Sequence, residues 1–566
     1  MENSKKVSST VLKFAVWLII LFVVFWFSLP AINIKSGEFW SFVVFGIISF
    51  AVINAFSGIK NFFKGFTVQK DGSVSRSKKV TLRQFGKPLL ISAALIIAII
   101  VFSVIMNIIG AKVFNAKRYN RLLTLKDGNF TEDVAELKMS QIPVVDRNTS
   151  VALGKRKLGE MSDLVSQFEI ADNYTQINYH NTPVRITPLA YGDPIKWLNN
   201  QSSGIPAYVK IDMATQEASL VRLNDGIKYS QSEFFMRNIE RYLRFKYPTK
   251  IFDNLSFEID ENGDPYWVAS VVEFKIGFWN GSDIGGAVLV NAVTGESKYY
   301  AFDEIPQWVD QVYNSEMVID QLNYNGKYRN GFWNSIFGQK GVLETTKGYN
   351  YLAVNDDVWL YTGMTSVVGD ESNVGFVLVN LRTKESRYYQ IPGAEEYSAM
   401  DSAEGQVQEK NYSATFPLLL NISDRPTYFM SLKDSAGLVK MYAFVDVQQY
   451  QVVGTGSSVS KAKEDYDAKL ASADITTGAT PSVEEKTVSG KVEAINSAVV
   501  GGNTKYFIKL ANDSKIYTVD ISLSDNLPFV KSGDDVTVGI EISKKTAVDK
   551  NGNETTTETA TVKSFK

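Results

Sequence analysis

An α+β body carried on three membrane-spanning helices is what this 566-residue sequence predicts. Three observations predict it. Three long apolar stretches lie within the first 110 residues, strand-patterned sequence follows, and one hairpin-like pattern recurs along that body.

The apolar stretches run over about residues 14–30, 39–56 and 89–109. Each is near the roughly 20 apolar residues that cross a hydrocarbon core. None carries an internal charge, which would cost about 3 kcal/mol or more at mid-membrane. No small-x-small cleavage site follows the first stretch, and Pro30-Ala31-Ile32-Asn33 leads straight toward the second, so all three read as retained helices.

Loop charge orients them. The connection between the second and third spans holds Lys60, Lys64, Lys70, Arg76, Lys78, Lys79, Arg83 and Lys87 against Asp71. Lys35 is balanced by Glu38 in the shorter loop. The positive-inside bias puts the basic loop and the N-terminus in the cytoplasm, and everything after about Gly110 outside. Lys112, Lys117, Arg118, Arg121 and Lys126 pull the other way, and the basic loop outweighs them. The expected location is the cell membrane, multi-pass, with an extracytoplasmic body. Membrane lipid is the first expected partner, since a basic loop meets anionic headgroups.

The chain has no cysteine, hence no disulfide and no thiolate chemistry. Its net charge of −2 provides no field that recruits nucleic acid, which is excluded as a partner.

In the body, Val209-Lys210-Ile211-Asp212 with Thr215, Val288-Leu289-Val290-Asn291 with Thr294, and Val377-Leu378-Val379-Asn380 with Thr383 share one pattern. Phe444-Val445-Asp446-Val447 is a shorter fourth copy. An apolar strand ends at Asp or Asn, whose side chain bonds turn amides, and a second strand departs. Helices are expected over residues 232–247, opened by Ser232-Glu233 and stopped by Pro248, and over residues 305–321.

A helix, the strand Tyr266-Trp267-Val268-Ala269-Ser270-Val271, then Val288-Leu289-Val290-Asn291 and the turn Thr294-Gly295-Glu296 resemble the PepSY module of bacterial envelope proteins. The third copy departs from it with Lys384 in the glycine position. Residues 142–453 also resemble a family of large membrane-anchored proteins of Gram-positive bacteria. The PepSY resemblance implies regulation or inhibition of secreted peptidases, or envelope sensing, with an envelope protein as partner; the larger family implies no particular activity.

The composition of residues 457–485 marks a linker, with Lys461-Ala462-Lys463-Glu464-Asp465-Tyr466 extending a helix before Thr476-Thr477-Gly478. Strand patterns over residues 488–495, 505–510, 516–521, 536–542 and 556–562 resemble an OB-like β-barrel. The expected divisions are a membrane anchor to residue 110, a first sheet module over 111–230, PepSY-like modules over 231–340 and 341–456, the linker, and a barrel over 486–566.

Chemistry is sparse. His180 is the only histidine, no G-x-S-x-G, H-E-x-x-H or P-loop motif occurs, and neither a metal site nor a cofactor is expected. Asp260-Glu261-Asn262-Gly263-Asp264 begins like a calcium loop but has Pro265 where glycine is needed, so it reads as a polar turn. Asp356-Asp357 and Asp370-Glu371 flank one candidate hairpin and are the acids that could gather into a site. Phe332-Trp333-Asn334-Ser335-Ile336-Phe337, beside Arg329, has the residue types of interface anchors and sugar platforms, or else of packing between sheet modules.

The candidate binding residues are therefore Asp356, Asp357, Asp370, Glu371, Arg329 and Trp333, with no catalytic residue assigned. The expectation is a binding, scaffolding or regulatory protein, not an enzyme. A carboxylate-dependent cell-wall hydrolase is the alternative. So is a carbohydrate-binding surface protein that takes peptidoglycan or another oligosaccharide.

Overall fold

Three apolar helices open the computed structural model: α1 (Glu2–Ser28), α2 (Gly37–Lys64) and α3 (Arg83–Gly110). Residues 2–64, 66–68, 74–76, 83–354, 356–367, 372–473, 482–500, 503–511, 513–524, 526–548 and 554–565 are described. Val11–Ser28, Gly37–Asn54 and Leu89–Gly110 are long and apolar enough to cross a membrane, and they form the anchor. Lys70, Asp71, Lys78 and Lys79 of the basic loop lie outside the described residues, as do residues 474–481 of the linker.

Extended backbone at Ala111 ends α3, and α4 (Lys112–Asn120) departs from it. Asn115 Nδ2 donates to the Ile109 carbonyl at 2.7 Å and Tyr119 Oη to the Gly110 carbonyl at 3.0 Å, satisfying acceptors that the broken helix leaves open.

Four larger, mainly antiparallel sheets follow among the described residues. The first is preceded by α5 (Arg147–Gly159), capped by Asp146, which accepts from the Thr149 amide at 2.9 Å. Its strands are β1 (Phe168–Ile170), β2 (Thr175–Tyr179), β3 (Thr182–Tyr191), β4 (Ile205–Asp212) and β5 (Ala218–Ile227), with β1 and β2 both on β3. Helix α6 (Pro194–Asn200) interrupts the β3–β4 connection.

The second sheet follows α7 (Ile239–Lys246) and contains β6 (Phe252–Ile259), β7 (Pro265–Ile276), β8 (Asn280–Asn291) and β9 (Ser297–Ala301), in order β9-β8-β7-β6. The third follows α8 (Ser315–Lys327), with β10 (Leu343–Thr345), β11 (Asn350–Val354), β12 (Asp357–Ser366), β13 (Gly375–Asn380) and β14 (Ser386–Tyr389). The short strand Lys126–Asp127 adds to β14 in parallel. The fourth follows α9 (Glu396–Gln406), with β15 (Ser413–Ala414), β16 (Leu418–Ile422), β17 (Arg425–Lys433), β18 (Val439–Asp446) and β19 (Val453–Gly456). Helix α10 (Val459–Ser472) packs back on it through Tyr466. Among the described residues, 341–456 thus hold the third and fourth sheets and a two-stranded ribbon between Ser372–Asn373 and Gly393–Ala394.

The second sheet is buried on both faces, which is the alternation of a strand put to use. Trp267, Ala269, Val288 and Val290 point into a core shared with the first sheet. Their neighbours Val268, Ala287 and Leu289 point into a core shared with the third.

The repeated turn is real and has four copies. Asp212 Oδ1 accepts from the amides of Ala214 and Thr215, both at 2.8 Å. Asn291 accepts from Val293 and Thr294, and Asn380 from Arg382 and Thr383, at 2.8–3.0 Å. Asp446 does the same with Gln448 and Gln449, at 3.0 and 2.8 Å. Four residues after Asp212, Asn291 and Asn380, the backbone turns left-handed at Gln216, Gly295 and Lys384.

Two expected helices are corrected. Over residues 232–247 only α7 is α-helical, because Asn238 caps it by accepting from the Arg241 amide, and Phe235 takes a positive φ of 51° upstream. The helix expected over residues 305–321 begins at Ser315 instead, where Asn314 accepts from the Met317 amide at 2.7 Å. Pro306 and the residues after it form a loop.

The C-terminal residues form a separate compact unit from Leu470 onward. Its strands are β20 (Ser482–Val500), β21 (Asn503–Leu510), β22 (Ile516–Asp520), β23 (Asp535–Val548) and β24 (Glu554–Phe565). They form one antiparallel sheet in the order β22-β21-β20-β23-β24, around Val492, Ile508, Val519, Leu527 and Val538. The expected barrel is corrected to this extent: among the described residues β22 and β24 do not pair, so the sheet is not closed.

Candidate functional site

Of the acids singled out in the sequence, Asp356 and Asp357 lie among the described residues. Asp357, at the start of β12, is buried and receives Arg382 through Nε and Nη2 at 2.7 and 2.8 Å, and Asn380 Nδ2 at 2.8 Å. Its lone pairs hold the neighbouring hairpin together. Asp356 occupies a left-handed turn position, φ 63°, where Asp is among the tolerated residues. Asp370 and Glu371 lie outside the described residues.

The aromatic run is at the other end of β12. Residues 332–337 connect α8 to β10, which pairs with Ser366, whereas Asp357 pairs with Val354 on β11. Ten strand residues at about 3.3 Å each separate the two ends.

Among the two uses the sequence allowed for this run, packing between sheets is not the one taken. Trp333 and Phe337 are 63% and 78% exposed, and Ile336 is exposed too. The Trp333 and Phe337 rings stack 5.9 Å apart, 15° from parallel. They stand on a π-helical turn, Asn334–Gly338. Asn330 and Asn334 brace it, each donating through Nδ2 to the Lys340 carbonyl, at 2.8 and 3.0 Å. Arg329 is exposed just before it. A file of rings runs back from this ledge to the anchor: Phe332 on Tyr328 at 6.2 Å, Tyr328 on Tyr324 at 6.2 Å, and Tyr324 on Tyr119 of α4 at 5.0 Å.

Two features escaped the sequence reading. A cavity of about 420 Å³ opens between α4, the tip of β7–β8 and the start of α8, lined by Lys112, Asp253, Trp279, Glu316, Asp320 and Tyr324. Its walls come from four separated segments, so no local motif announces it.

The second feature is a buried carboxyl pair. Glu258 accepts from Ser256 Oγ at 2.7 Å and from the amides of Asp310 and Gln311 at 2.8 and 3.2 Å. Asp310 accepts from the amides of Asn178 in β2 and Val358 in β12, at 2.7 and 3.2 Å. Two side chains thereby join strands of three sheets. Burial pushes Glu258 up to about 7 and Asp310 well above the usual carboxylate range, the Glu258 charge adding to the latter. An acid at an inward position of β6 was the available signal.

His180 sits exposed in the β2–β3 turn with Nε2 3.2 Å from the Glu261 carboxylate. Asp260 Oδ1 accepts from the amides of Asn262 and Asp264, the polar turn expected there. Among the described residues no group of three or more His, Asp or Glu is placed to hold a metal ion.

No family model matches the chain, and no curated protein matches it.

Proposed function

We propose that the chain is a membrane-anchored binding or scaffolding protein of the bacterial cell envelope, its body extracytoplasmic and without catalysis of its own. The observation that carries this reading is the exposed Trp333–Phe337 stack. Rigid, preorganised aromatic side chains give large contact area at low entropic cost, which is what the anchor residues of an interface need. Arg329 beside them supplies the charged rim. The partner is an envelope protein.

The direct coupling of body to anchor supports a scaffolding role. Arg244 Nε donates to the Leu29 carbonyl at 2.8 Å, the Ile32 amide to the Pro248 carbonyl at 2.7 Å, and Asn33 Nδ2 to the Thr249 carbonyl at 2.8 Å. A body held this way presents the ledge at a set distance from the bilayer.

Helix α7 followed by β6–β9, with Thr294-Gly295-Glu296 at the β8–β9 turn, supports a PepSY-like identity for the second sheet. For the tail, the order β22-β21-β20-β23-β24, with the long β20 shared between both halves, supports an OB-like identity for an open sheet.

Photo-crosslinking from the exposed Arg329 and Ile336 positions in intact membranes tests the reading. A discrete crosslinked protein that disappears with Trp333→Ala/Phe337→Ala is expected. Crosslinks unchanged by the double substitution, or turnover of wall material by the purified chain, overturn it. Loss of peptidoglycan binding with Trp333→Ala instead favours the sugar-platform alternative.

A further inference from the structure

The body carries an apolar foot beside the end of α1. Helix α6 leaves Ile195 and Leu198 71% and 61% exposed, and the adjacent turn leaves Phe235 64% exposed together with Phe234 and Met236. Trp197 joins the two, its ring 4.7 Å from Phe234 and 6.0 Å from Phe235. Single exposed apolar side chains are ordinary; a contiguous group of large ones marks a contact surface.

The foot is built rather than loose. Glu233 is buried behind it and accepts from Trp197 Nε1 at 2.7 Å and Tyr191 Oη at 2.8 Å. Asp193 caps α6 through the amides of Ile195 and Lys196, at 2.8 and 2.9 Å. Arg237 Nη1 ties the turn to the Gln201 carbonyl at 2.5 Å. Phe235 holds φ 51°, a left-handed conformation rare for a bulky residue, and its ring is left outward-facing.

Arg241 sets the position of the foot. Its guanidinium lies 4.5 Å over the Trp26 ring, with Nε 3.5 Å from the Trp26 carbonyl, and Nη1 donates to the Phe235 carbonyl at 2.8 Å. Trp26 belongs to the span Val11–Ser28. One side chain therefore separates Phe235 from the last turn of a transmembrane helix. Phe245 of α7 also packs on Phe25 and Trp26, at 5.6 and 5.7 Å. The body reaches membrane depth at a second point: Phe278 and Trp279, at the tip of β7–β8, lie 5.7 and 5.8 Å from Phe102, inside the span Leu89–Gly110.

We infer that Ile195, Leu198, Phe234, Phe235 and Met236 embed in the bilayer, at the boundary between acyl chains and headgroups beside α1. The body is thus a monotopic membrane-contacting domain in addition to being tethered by spans. Lipid is the occupant because the patch is continuous with the lipid-facing end of α1, and apolar area buried at that depth is recovered from water.

The cysteine-free chain allows a clean test. Ile195→Cys, Leu198→Cys and Phe235→Cys, each in the full chain and each labelled with an environment-sensitive NBD fluorophore, are reconstituted into protein-free phosphatidylcholine/phosphatidylglycerol vesicles. Leu438→Cys, on the β17–β18 turn, is the control. The expected result is blue-shifted emission at the three foot positions, quenched by lipids spin-labelled near the headgroup, with Leu438→Cys unaffected. The two α6 positions keep the test valid if replacing Phe235 disturbs its turn. Emission at Ile195 and Leu198 equal to the control overturns the inference. So does shielding that arises only on adding membrane proteins, which assigns the patch to a protein partner.

Discussion

Lys384 Nζ lies 2.6 Å from Asp283 Oδ1, joining the β13–β14 turn of the third sheet to strand β8 of the second. Lys384 stands where the second copy has Gly295, and its φ of 60° is the left-handed conformation that glycine adopts without cost. The departure exchanges backbone ease for an ion pair between sheets. Asp283→Ala should cost about 3 kcal/mol, since it leaves a largely buried ammonium unpaired. Lys384→Gly should cost less, because relief of the left-handed backbone offsets part of the loss and Tyr313 Oη still donates to the Asp283 carboxylate left behind. Unfolding of the full chain in detergent separates the two; equal losses would show that the backbone contributes nothing.

Arg244 bridges the Leu29 and Lys250 carbonyls, at 2.8 and 2.6 Å. Arg244→Lys should not restore what Arg244→Ala loses, because one ammonium cannot reproduce the planar two-carbonyl geometry. The expected readout is faster amide exchange over residues 29–36 in both variants, with a stability loss of about 2 kcal/mol from the carbonyls left unpaired. Exchange as slow as in the wild type would mean that other contacts hold the anchor to the body.

The buried Glu258 gives stability a sign with pH. Its folded value of about 7 lies above the free value of 4.5, so the folded state keeps a proton that the unfolded chain has released. Stability should therefore be greater at low pH and fall as pH rises from about 4.5 to about 7, by about 3 kcal/mol from this group. Asp310 contributes in the same direction. Glu258→Gln should flatten the slope, read from denaturation midpoints at pH 5 and pH 8. A variant with the wild-type slope would place the titration elsewhere.

The four turns should not be equally sensitive. Asn291→Ala removes two hydrogen bonds to backbone amides and should cost about 1–2 kcal/mol. Asp446→Ala should cost more, about 3–5 kcal/mol, because Arg425 at 2.7 Å loses its counter-charge in a buried setting. Thermal unfolding of the two variants side by side checks the order.

Topology follows from accessibility. With the body extracytoplasmic, Leu438→Cys should react with a membrane-impermeant maleimide on intact cells. Labelling only after lysis reverses the orientation and moves the partner to the cytoplasm.

The anchor and the repeated turn were legible in advance because their physics is local. Hydropathy over some twenty residues decides a span, and an Asx side chain reaches amides two and three residues on. Even the reduced fourth copy at Asp446 keeps that bond pattern. Helix boundaries were less legible: Asn238 and Asn314 cap α7 and α8, but the apolar periodicity upstream of each resembled a longer helix. The acids of the candidate site read as available because the sequence does not show that Arg382 folds back onto Asp357.

Chain chemistry alone determined that this protein has three helices long and apolar enough to cross a membrane and then builds hairpins whose strands end in Asp or Asn. Packing decided the rest: that Glu258 and Asp310 lie buried between three sheets, that Trp333 and Phe337 face solvent, and that Arg241 ties the exposed Phe235 turn to Trp26 of α1. The division has one physical cause. Hydrogen bonds within a turn and the transfer of a helix into hydrocarbon depend on neighbours a few residues away, whereas burial depends on which distant face a strand or loop meets.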